Sequence, residues 1–232
     1  MTNSYYDRIE ELLGDRASQW NRFCPLPPPT WFESEIDKFL QAVKVFIDGD
    51  REKCIHQISL IRGEEMRDWF IELGQRSGKY RIRRLDLPKP EKVDDHFRDP
   101  TRSPSRFEEA VFIRDGYRCR YCGIRLICKK FMQTFIKALR WTGFIKGSKN
   151  IERHGIIFAT YPYADHVKPW NQGGRTDESN LVASCGCCNF GKGSYTVEQM
   201  GVENPFLREP QLDEWDGVKS LRAAINGTNR PI

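Results

Sequence analysis

Hydrophobic residues recur at helical spacing along the first third of the chain. Across residues 32–47 the apolar positions follow a period near 3.6, and Gly49 provides a stop signal. Shorter helices are predicted around residues 51–61 and 64–73. Residues 80–85 alternate between polar and apolar side chains, which predicts a strand. The first part of the chain is therefore expected to be mostly α-helical.

Prolines then interrupt the pattern. Residues 86–104 contain four prolines among charged residues, which predicts a linker. The linker divides a helical domain of unknown role (1–85) from a second domain (105–232), in which a short strand is predicted at 155–160. The predicted fold class is therefore α+β.

Composition limits the class of protein. The chain has 232 residues, 39% of them hydrophobic, and a mean hydropathy of −0.63. No apolar run approaches the roughly 18–20 residues that a membrane helix needs, so no membrane span is expected. The first residues lack the basic-then-apolar order of a secretory signal, and a cytoplasmic location is expected.

Two of the cysteine spacings are typical of a metal site. Cys119 and Cys122 form one C-x-x-C pair, and Cys185 and Cys188 form another. Two such pairs commonly assemble a tetrahedral thiolate zinc site. The alternatives are a redox pair or plain buried thiols. Cys187 could replace Cys188 as a ligand, but the symmetric spacing favours Cys188.

Short motifs follow the first cysteine pair in a fixed order. They are the Asp165-His166 pair, the Gly173-Gly174 pair, Asn180, the Cys188-Asn189 junction and the Lys192-Gly193 pair. Together with the two C-x-x-C pairs, this order resembles the HNH endonucleases, the zinc-stapled members of the ββα-metal (His-Me finger) nucleases. The resemblance covers about residues 105–195. It implies a ββα-metal nuclease domain, stapled by a four-cysteine zinc site, behind the helical domain.

The chemistry of phosphodiester hydrolysis fits these residue types. The reaction needs a base for the attacking water and a cation for the charge that develops on the phosphate. The resemblance implies that His166 is the base, that Asp165 and Asn189 hold Mg²⁺ or Mn²⁺, and that Asn180 orients His166 or braces the loop. Many relatives carry histidine where this chain has Asn189, but an amide oxygen also suits a hard cation.

The positive charge is local. The net charge is +5, yet residues 114–153 alone hold 11 basic residues against two acidic ones. Residues 124–155 are predicted to form an inserted amphipathic helix whose basic face grips nucleic acid beside the active site. The predicted contacts are Lys129, Lys130, Lys137, Arg140, Lys146, Lys149 and Lys192. The alternatives are a merely solvated face and, for Lys192, a turn cap.

The functional prediction is a metal-dependent DNA endonuclease, with a role in restriction or in bacterial or phage defence as the family's usual setting. The alternative is an inactive zinc-stabilised module that binds nucleic acid or a partner. RNA as substrate, a protein partner for the N-terminal domain and a homodimer are left open. His56 is predicted to be structural or exposed and His96 to lie in the linker, while a place for His154 near the site is left open.

Overall fold

The computed structural model describes residues 21–228. Within this range, most of the regular structure is helical, and the strands form one two-stranded sheet. The helices and strands, in chain order, are α1 (Phe32–Ile47), α2 (Arg51–Ser59), α3 (Gly63–Asp68), α4 (Ser77–Arg84), α5 (Glu108–Arg114), α6 (Lys129–Leu139), α7 (Gly155–Ala159), β1 (Pro162–His166), β2 (Leu181–Cys185), α8 (Gly186–Lys192) and α9 (Arg222–Thr228). A π-helical segment, Trp69–Leu73, and a 3-10 turn, Gly74–Arg76, join α3 to α4.

The long helix α1 forms where the periodicity predicts it. Its apolar stripe, which includes Phe32, Ile36 and Phe39, is buried. Gly49 follows the helix with φ +95°, a backbone conformation that favours glycine. The predicted bounds of this helix, 32–47, are confirmed.

The predicted amphipathic helix in the insertion is present as α6, but it spans only Lys129–Leu139, and the rest of residues 124–155 is irregular apart from two 3-10 turns and α7. The apolar face of α6 does not pack on the second predicted domain alone. Phe135 lies edge-to-face against Phe39 and Phe46 of α1 and against Phe144 beyond α6. The Arg51 guanidinium also donates to the Leu139 carbonyl at 3.0 Å. The insertion therefore joins the N-terminal helices to the rest of the chain.

Two strand predictions are wrong. Residues 80–85 lie largely in α4, and residues 155–160 lie largely in α7. The alternating pattern misleads in the first case because the polar residue Arg81 is itself buried, where it donates to the carbonyls of Cys24 and Gly201. In the second case the His154 ring caps α7 by accepting a hydrogen bond from the Ile156 N–H.

The sheet consists of β1 and β2, paired antiparallel so that His166 lies opposite Leu181 and Pro162 opposite Cys185. The helix α8 begins directly after β2. Asp115 at the end of α5 accepts a hydrogen bond from the Ala183 N–H of β2 at 2.7 Å. This order, two strands and a helix, matches the fold that the resemblance implies.

The predicted linker is packed against the loop between β1 and β2. The N–H of Val93 donates to the carbonyl of Asn171, and the Trp170 indole donates to the carbonyl of Asp99 at 2.8 Å. The Asp99 carboxylate accepts from the Thr176 N–H at 3.0 Å. We call residues 92–104 the docked segment. The division into a 1–85 domain and a 105–232 domain stays a prediction, and residues 1–20 lie outside the described range.

Buried side chains from the N-terminal helices and from the sheet region form one continuous hydrophobic cluster. Within residues 21–228, no helix has both the length and the apolar character needed to cross a bilayer.

Candidate active site and metal centre

Four cysteines converge behind the sheet. The Sγ atoms of Cys119, Cys122, Cys185 and Cys188 all lie within 4.8 Å of one another. Cys122 and Cys185 have their sulfurs 3.7 Å apart, which fits the edge of about 3.8 Å that a tetrahedron with Zn–S bonds of about 2.3 Å would have. The donor set and its spacing therefore fit a closed structural zinc site.

Local backbone geometry presents these thiols to one point. The first pair lies in a tight turn closed by the hydrogen bond from the Gly123 N–H to the Cys119 carbonyl. The second pair spans the start of α8, where the Cys188 N–H donates to the Cys185 sulfur at 3.4 Å. The neighbouring thiols, Cys119 above all, lower the pKa of Cys185 well below its ordinary value. Thiolate character at this position favours metal binding.

The cluster contains Cys188 and not Cys187, as the symmetric spacing predicts. Cys187 is buried on another side of α8, where its sulfur packs so closely on Gly74 that a side chain at that glycine would collide with it. The backbones of α4 and α8 also touch, because a side chain at Gly78 would collide with the carbonyl of Gly191. The N-terminal helical region therefore fixes the position of α8.

Asp165 is 5% exposed at the end of β1. Its Oδ2 accepts a hydrogen bond from the Tyr121 hydroxyl at 2.7 Å and lies 3.4 Å from the Lys192 ammonium. Burial raises the pKa of Asp165, while the positive charge of Lys192 and the hydrogen bond from Tyr121 oppose that rise. Among the described residues, nothing hydrogen-bonds to Oδ1, so this oxygen is free for a further ligand.

His166 is the next residue, and its Nε2 lies 2.9 Å from the Thr176 hydroxyl. Burial, and to a smaller extent the nearby positive charge of Lys192, lowers the pKa of His166 to about 4, against the opposing effect of Asp99. The imidazole is therefore neutral at neutral pH. A neutral imidazole fixed by one hydrogen bond can accept a proton at its other nitrogen.

The two asparagines have different surroundings. The Asn180 side chain accepts from the Lys168 N–H at 2.8 Å and donates to the carbonyls of Lys168 and Arg175. It therefore braces the loop that follows His166. Asn189 lines the same cleft as Asp165 and His166, and its amide makes no hydrogen bond within the described part of the chain.

Lys192 is too deeply buried to contact a nucleic-acid strand. It is 3% exposed, and its ammonium donates to the carbonyl of His166 at 3.0 Å and to carbonyls of the turn after α8. The prediction that Lys192 contacts nucleic acid does not fit this position, because the ammonium is enclosed by protein oxygens. The turn-cap alternative fits it, with the neutralisation of Asp165 added.

Asp165, His166, Asn189 and Lys192 line a cleft of about 680 Å³, whereas Asn180 does not line it. One wall comes from β1 and α8, and the other comes from the docked segment through Lys92, Arg98 and Arg102. The sequence pattern of this segment predicts a linker and gives no sign of a cleft wall. No local signal could have found it, because its contacts join residues 71 and 77 positions apart in the chain.

The cleft fits a hard divalent cation. It offers the carboxylate of Asp165, which has an unbonded oxygen, and the amide of Asn189, and Mg²⁺ prefers oxygen ligands of these kinds. One carboxylate with one amide leaves further coordination positions for water and substrate, as is usual for Mg²⁺. The donor set therefore suits a catalytic cation rather than a second structural one.

The other predicted contacts lie outside this cleft. Lys129 pairs with Glu108 at 2.9 Å and packs over the Phe112 and Tyr161 rings. The rest are exposed, on α6 and on the segment after it; they are Lys130, Lys137, Arg140, Lys146 and Lys149. Binding of nucleic acid by the basic face of α6 and the segment after it stays a prediction.

The remaining histidines lie away from Asp165. His154 is packed against Trp141 and Phe144, and burial lowers its pKa to about 4. It does not line the cleft of His166. His56 and His96 are exposed.

Comparison with protein families places the cleft in a known group. Residues 158–194 match the family described as HNH endonuclease. This segment contains β1, β2 and α8, and with them Asp165, His166, Asn180 and Asn189. Searches among curated proteins and among solved structures found no match. The resemblance to HNH endonucleases is confirmed for this C-terminal segment, and it indicates nuclease activity in general.

Proposed function

We propose that the protein is a metal-dependent endonuclease that hydrolyses DNA phosphodiester bonds in the cleft beside Asp165 and His166. One observation carries the proposal. One cleft is lined by the buried carboxylate of Asp165, the neutral imidazole of His166 and the amide of Asn189, which makes no hydrogen bond among the described residues. All three residues lie within the segment that matches the HNH family.

His166 acts as the general base. Its Nε2 is held by the Thr176 hydroxyl, so Nδ1, which has no hydrogen-bond partner among the described residues, takes the proton from the attacking water. The water oxygen bonds to phosphorus as the bond to the leaving oxygen breaks, and that oxygen acquires a proton from solvent. The pKa near 4 keeps His166 in the base form at neutral pH.

Asp165 and Asn189 are the residues that would hold the cation. When bound, Mg²⁺ or Mn²⁺ supplies positive charge to the phosphate and to the leaving oxygen. Lys192 and Tyr121 favour the carboxylate form of Asp165, because both oppose the rise in its pKa that burial causes. The four cysteines are the residues that would hold a structural zinc, which would fix the turn carrying Tyr121 and the start of α8.

The direct test is cleavage of supercoiled plasmid with Mg²⁺ or Mn²⁺. Purified protein should convert the plasmid to nicked or linear DNA, EDTA should stop the reaction, and His166→Ala should abolish it. His56→Ala, at an exposed histidine on α2, is the matched control and should cut normally. Parallel reactions with linear duplex, single-stranded DNA and RNA identify the substrate. Cleavage that persists in His166→Ala would contradict the assignment, and binding without cleavage would favour the inactive module.

The basic face of α6 is proposed to bind the DNA backbone away from the scissile bond. Lys130 and Lys137 are exposed there. The double charge reversal Lys130→Glu/Lys137→Glu should weaken binding and reduce its dependence on salt concentration. Lys44→Glu/Lys53→Glu, at exposed lysines of α1 and α2, is the matched control. Equal binding by both pairs would leave α6 as a solvated face.

A cytoplasmic role in restriction or phage defence is proposed on the resemblance alone. Expression of the chain in a susceptible bacterium should lower the plating efficiency of phage, and the His166→Ala chain should not. Equal plating with both chains would remove defence from the proposal while leaving the nuclease assignment intact.

A further inference from the structure

The docked segment is held at the cleft by hydrogen bonds to the loop between β1 and β2. Asp99 makes two of them at once, since its carboxylate accepts from the Thr176 N–H and its carbonyl accepts from the Trp170 indole. Thr176 in turn contacts the His166 ring. A displacement of this segment would therefore disturb the loop that positions the general base.

Arg102 projects from this segment into the cleft. The Asp99 carboxylate also accepts from the Thr101 N–H at 2.8 Å, which fixes the turn just before Arg102. The guanidinium lies over the Trp170 ring at 5.4 Å from its centroid. Arg102 lines the cleft together with Asp165, the proposed cation ligand. The side chain is thus oriented before any ligand arrives.

The charge of Arg102 is available to a ligand. Within residues 21–228 its guanidinium makes no hydrogen bond and no ion pair, and the residue is exposed. Its neighbour Arg98 differs, because it pairs with Asp95 and donates twice to the Val93 carbonyl. Arg98 therefore stabilises the docked segment, while the planar guanidinium of Arg102 has N–H donors that are free to bind a ligand.

The charges of the cleft favour an anion. Lys192 balances Asp165, and Lys129 balances Glu108, the other acidic residue of the lining. Arg102 and the exposed Lys92 are left without acidic partners among the described residues. An anion with paired oxygens, such as a phosphodiester, matches the fork geometry of a guanidinium.

We propose that Arg102, oriented by Trp170 and Asp99, is a phosphate-binding residue that holds the nucleic-acid backbone against Asp165 and His166. The proposal rests on the proposed function and assigns part of the substrate grip to a segment outside the family match. Lys92 lies on the same wall and would support the contact.

The experiment compares Arg102→Gln with Arg106→Gln. Arg106 belongs to the next turn, is exposed and lies over the Phe107 ring, but it does not line the cleft. Both substitutions are made in a His166→Ala parent, so that DNA is bound without being cut. Binding of a fluorescent duplex, a single strand and an RNA is measured against KCl concentration, with zinc content and melting temperature as checks on folding.

Arg102→Gln should weaken binding about tenfold and reduce the slope of log affinity against log salt by about one, as the loss of one phosphate contact predicts. Arg106→Gln should leave both unchanged, and Arg102→Lys should restore the slope but only part of the affinity, since it keeps the charge and loses the fork. In the active protein, Arg102→Gln should raise KM more than it lowers kcat.

The outcomes separate the two proposals. If wild-type protein fails to cut but Arg102→Gln alone weakens binding, the phosphate contact stands and the nuclease activity falls. If wild-type protein cuts and the two arginine variants bind alike, the Arg102 assignment is overturned and the nuclease stands. Absence of binding to all three nucleic acids by the parent overturns the Arg102 assignment as well.

Discussion

The cysteine cluster and the Asp165–His166 cleft differ in almost every physical respect, although α8 contributes neighbouring residues to the two sites. Cys188 faces the cluster and Asn189 lines the cleft. The cluster has four identical soft ligands, mostly buried, with no position left for a substrate. The cleft has oxygen donors of two kinds, an open face and the imidazole of His166 beside them. One helix thus transmits the geometry of a closed site to an open one.

A second link joins the two sites. Tyr121 lies inside the first C-x-x-C pair, and its hydroxyl donates to the carboxylate of Asp165 at 2.7 Å. The turn that carries two cysteines of the cluster therefore also orients Asp165, the proposed cation ligand of the cleft, through its tyrosine. We expect loss of the zinc to abolish the activity of the cleft, and loss of the cleft residues to leave the zinc in place.

Removal of a zinc ligand should produce the largest effect. Cys119→Ser or Cys185→Ser should lose zinc and most soluble, folded protein, because structural zinc contributes roughly 10–16 kcal/mol in small zinc modules. Metal analysis and thermal melting measure the result. Cys187→Ala is the matched control, since this cysteine is buried beside the cluster but outside it, and one zinc per chain should remain. Retention of zinc by the Cys185→Ser variant would contradict the assignment of Cys185 as a zinc ligand.

Removal of the base should affect the open site alone. His166→Ala should lower the cleavage rate by about 10²–10⁴-fold, the usual contribution of a general base, while zinc content and melting temperature stay near those of wild type. Single-turnover cleavage measures the rate. Joint loss of zinc and activity in this variant would show that the two sites do not separate as proposed.

The contrast between the sites also explains what the sequence could predict. The cluster and the Asp165–His166 pair depend on short spacings that are visible in one dimension. The docked segment is irregular and meets Trp170 and Thr176 across more than seventy residues, so no periodicity marks it. The predicted strand at 80–85 is wrong for a related reason. Arg81 is buried and hydrogen-bonds to the carbonyls of Cys24 and Gly201, which are distant in the chain, so the local pattern could not show its environment.

The two asparagines test whether bracing and ligation can be separated within the cleft. Asn189→Ala should lower cleavage about a hundredfold and raise the Mg²⁺ concentration required, with little change in melting temperature, since its amide makes no hydrogen bond among the described residues. Asn180→Ala should instead lower the melting temperature, because it removes three hydrogen bonds from the loop. Mg²⁺ titrations and melting curves of both variants distinguish these results. Identical profiles would contradict the separate roles.

A half-buried histidine outside both sites provides a pH test of fold stability. The folded-state pKa of His154 is lowered to about 4, below the ordinary value of 6.5. Below pH 6.5 the unfolded chain binds a proton that the folded chain excludes, so stability present above that pH is lost progressively down to pH 4. The loss at pH 5 should be about 2 kcal/mol.

His154→Asn keeps a capping side chain and removes the imidazole. Denaturant unfolding between pH 7 and pH 4.5 should show a shallower loss of stability in this variant than in wild type. His56→Asn, at an exposed position, should follow the wild-type curve. The contribution of His166 is common to all three proteins and cancels in the differences. Parallel curves for all three would show that His154 is protonated in the folded chain.

Tyr121→Phe gives the smallest and most specific test, because it removes the hydroxyl that joins the two sites and leaves every metal ligand in place. Zinc should stay bound, stability should fall by about 1.5 kcal/mol because a hydrogen bond to a charged carboxylate is lost, and cleavage should fall about tenfold as Asp165 loses its orientation. Tyr117→Phe is the matched control, since Tyr117 is also buried and donates to a carboxylate, that of Glu109, away from the cleft. A Tyr121 variant that cuts at the wild-type rate would leave α8 as the sole route by which the closed site supports the open one.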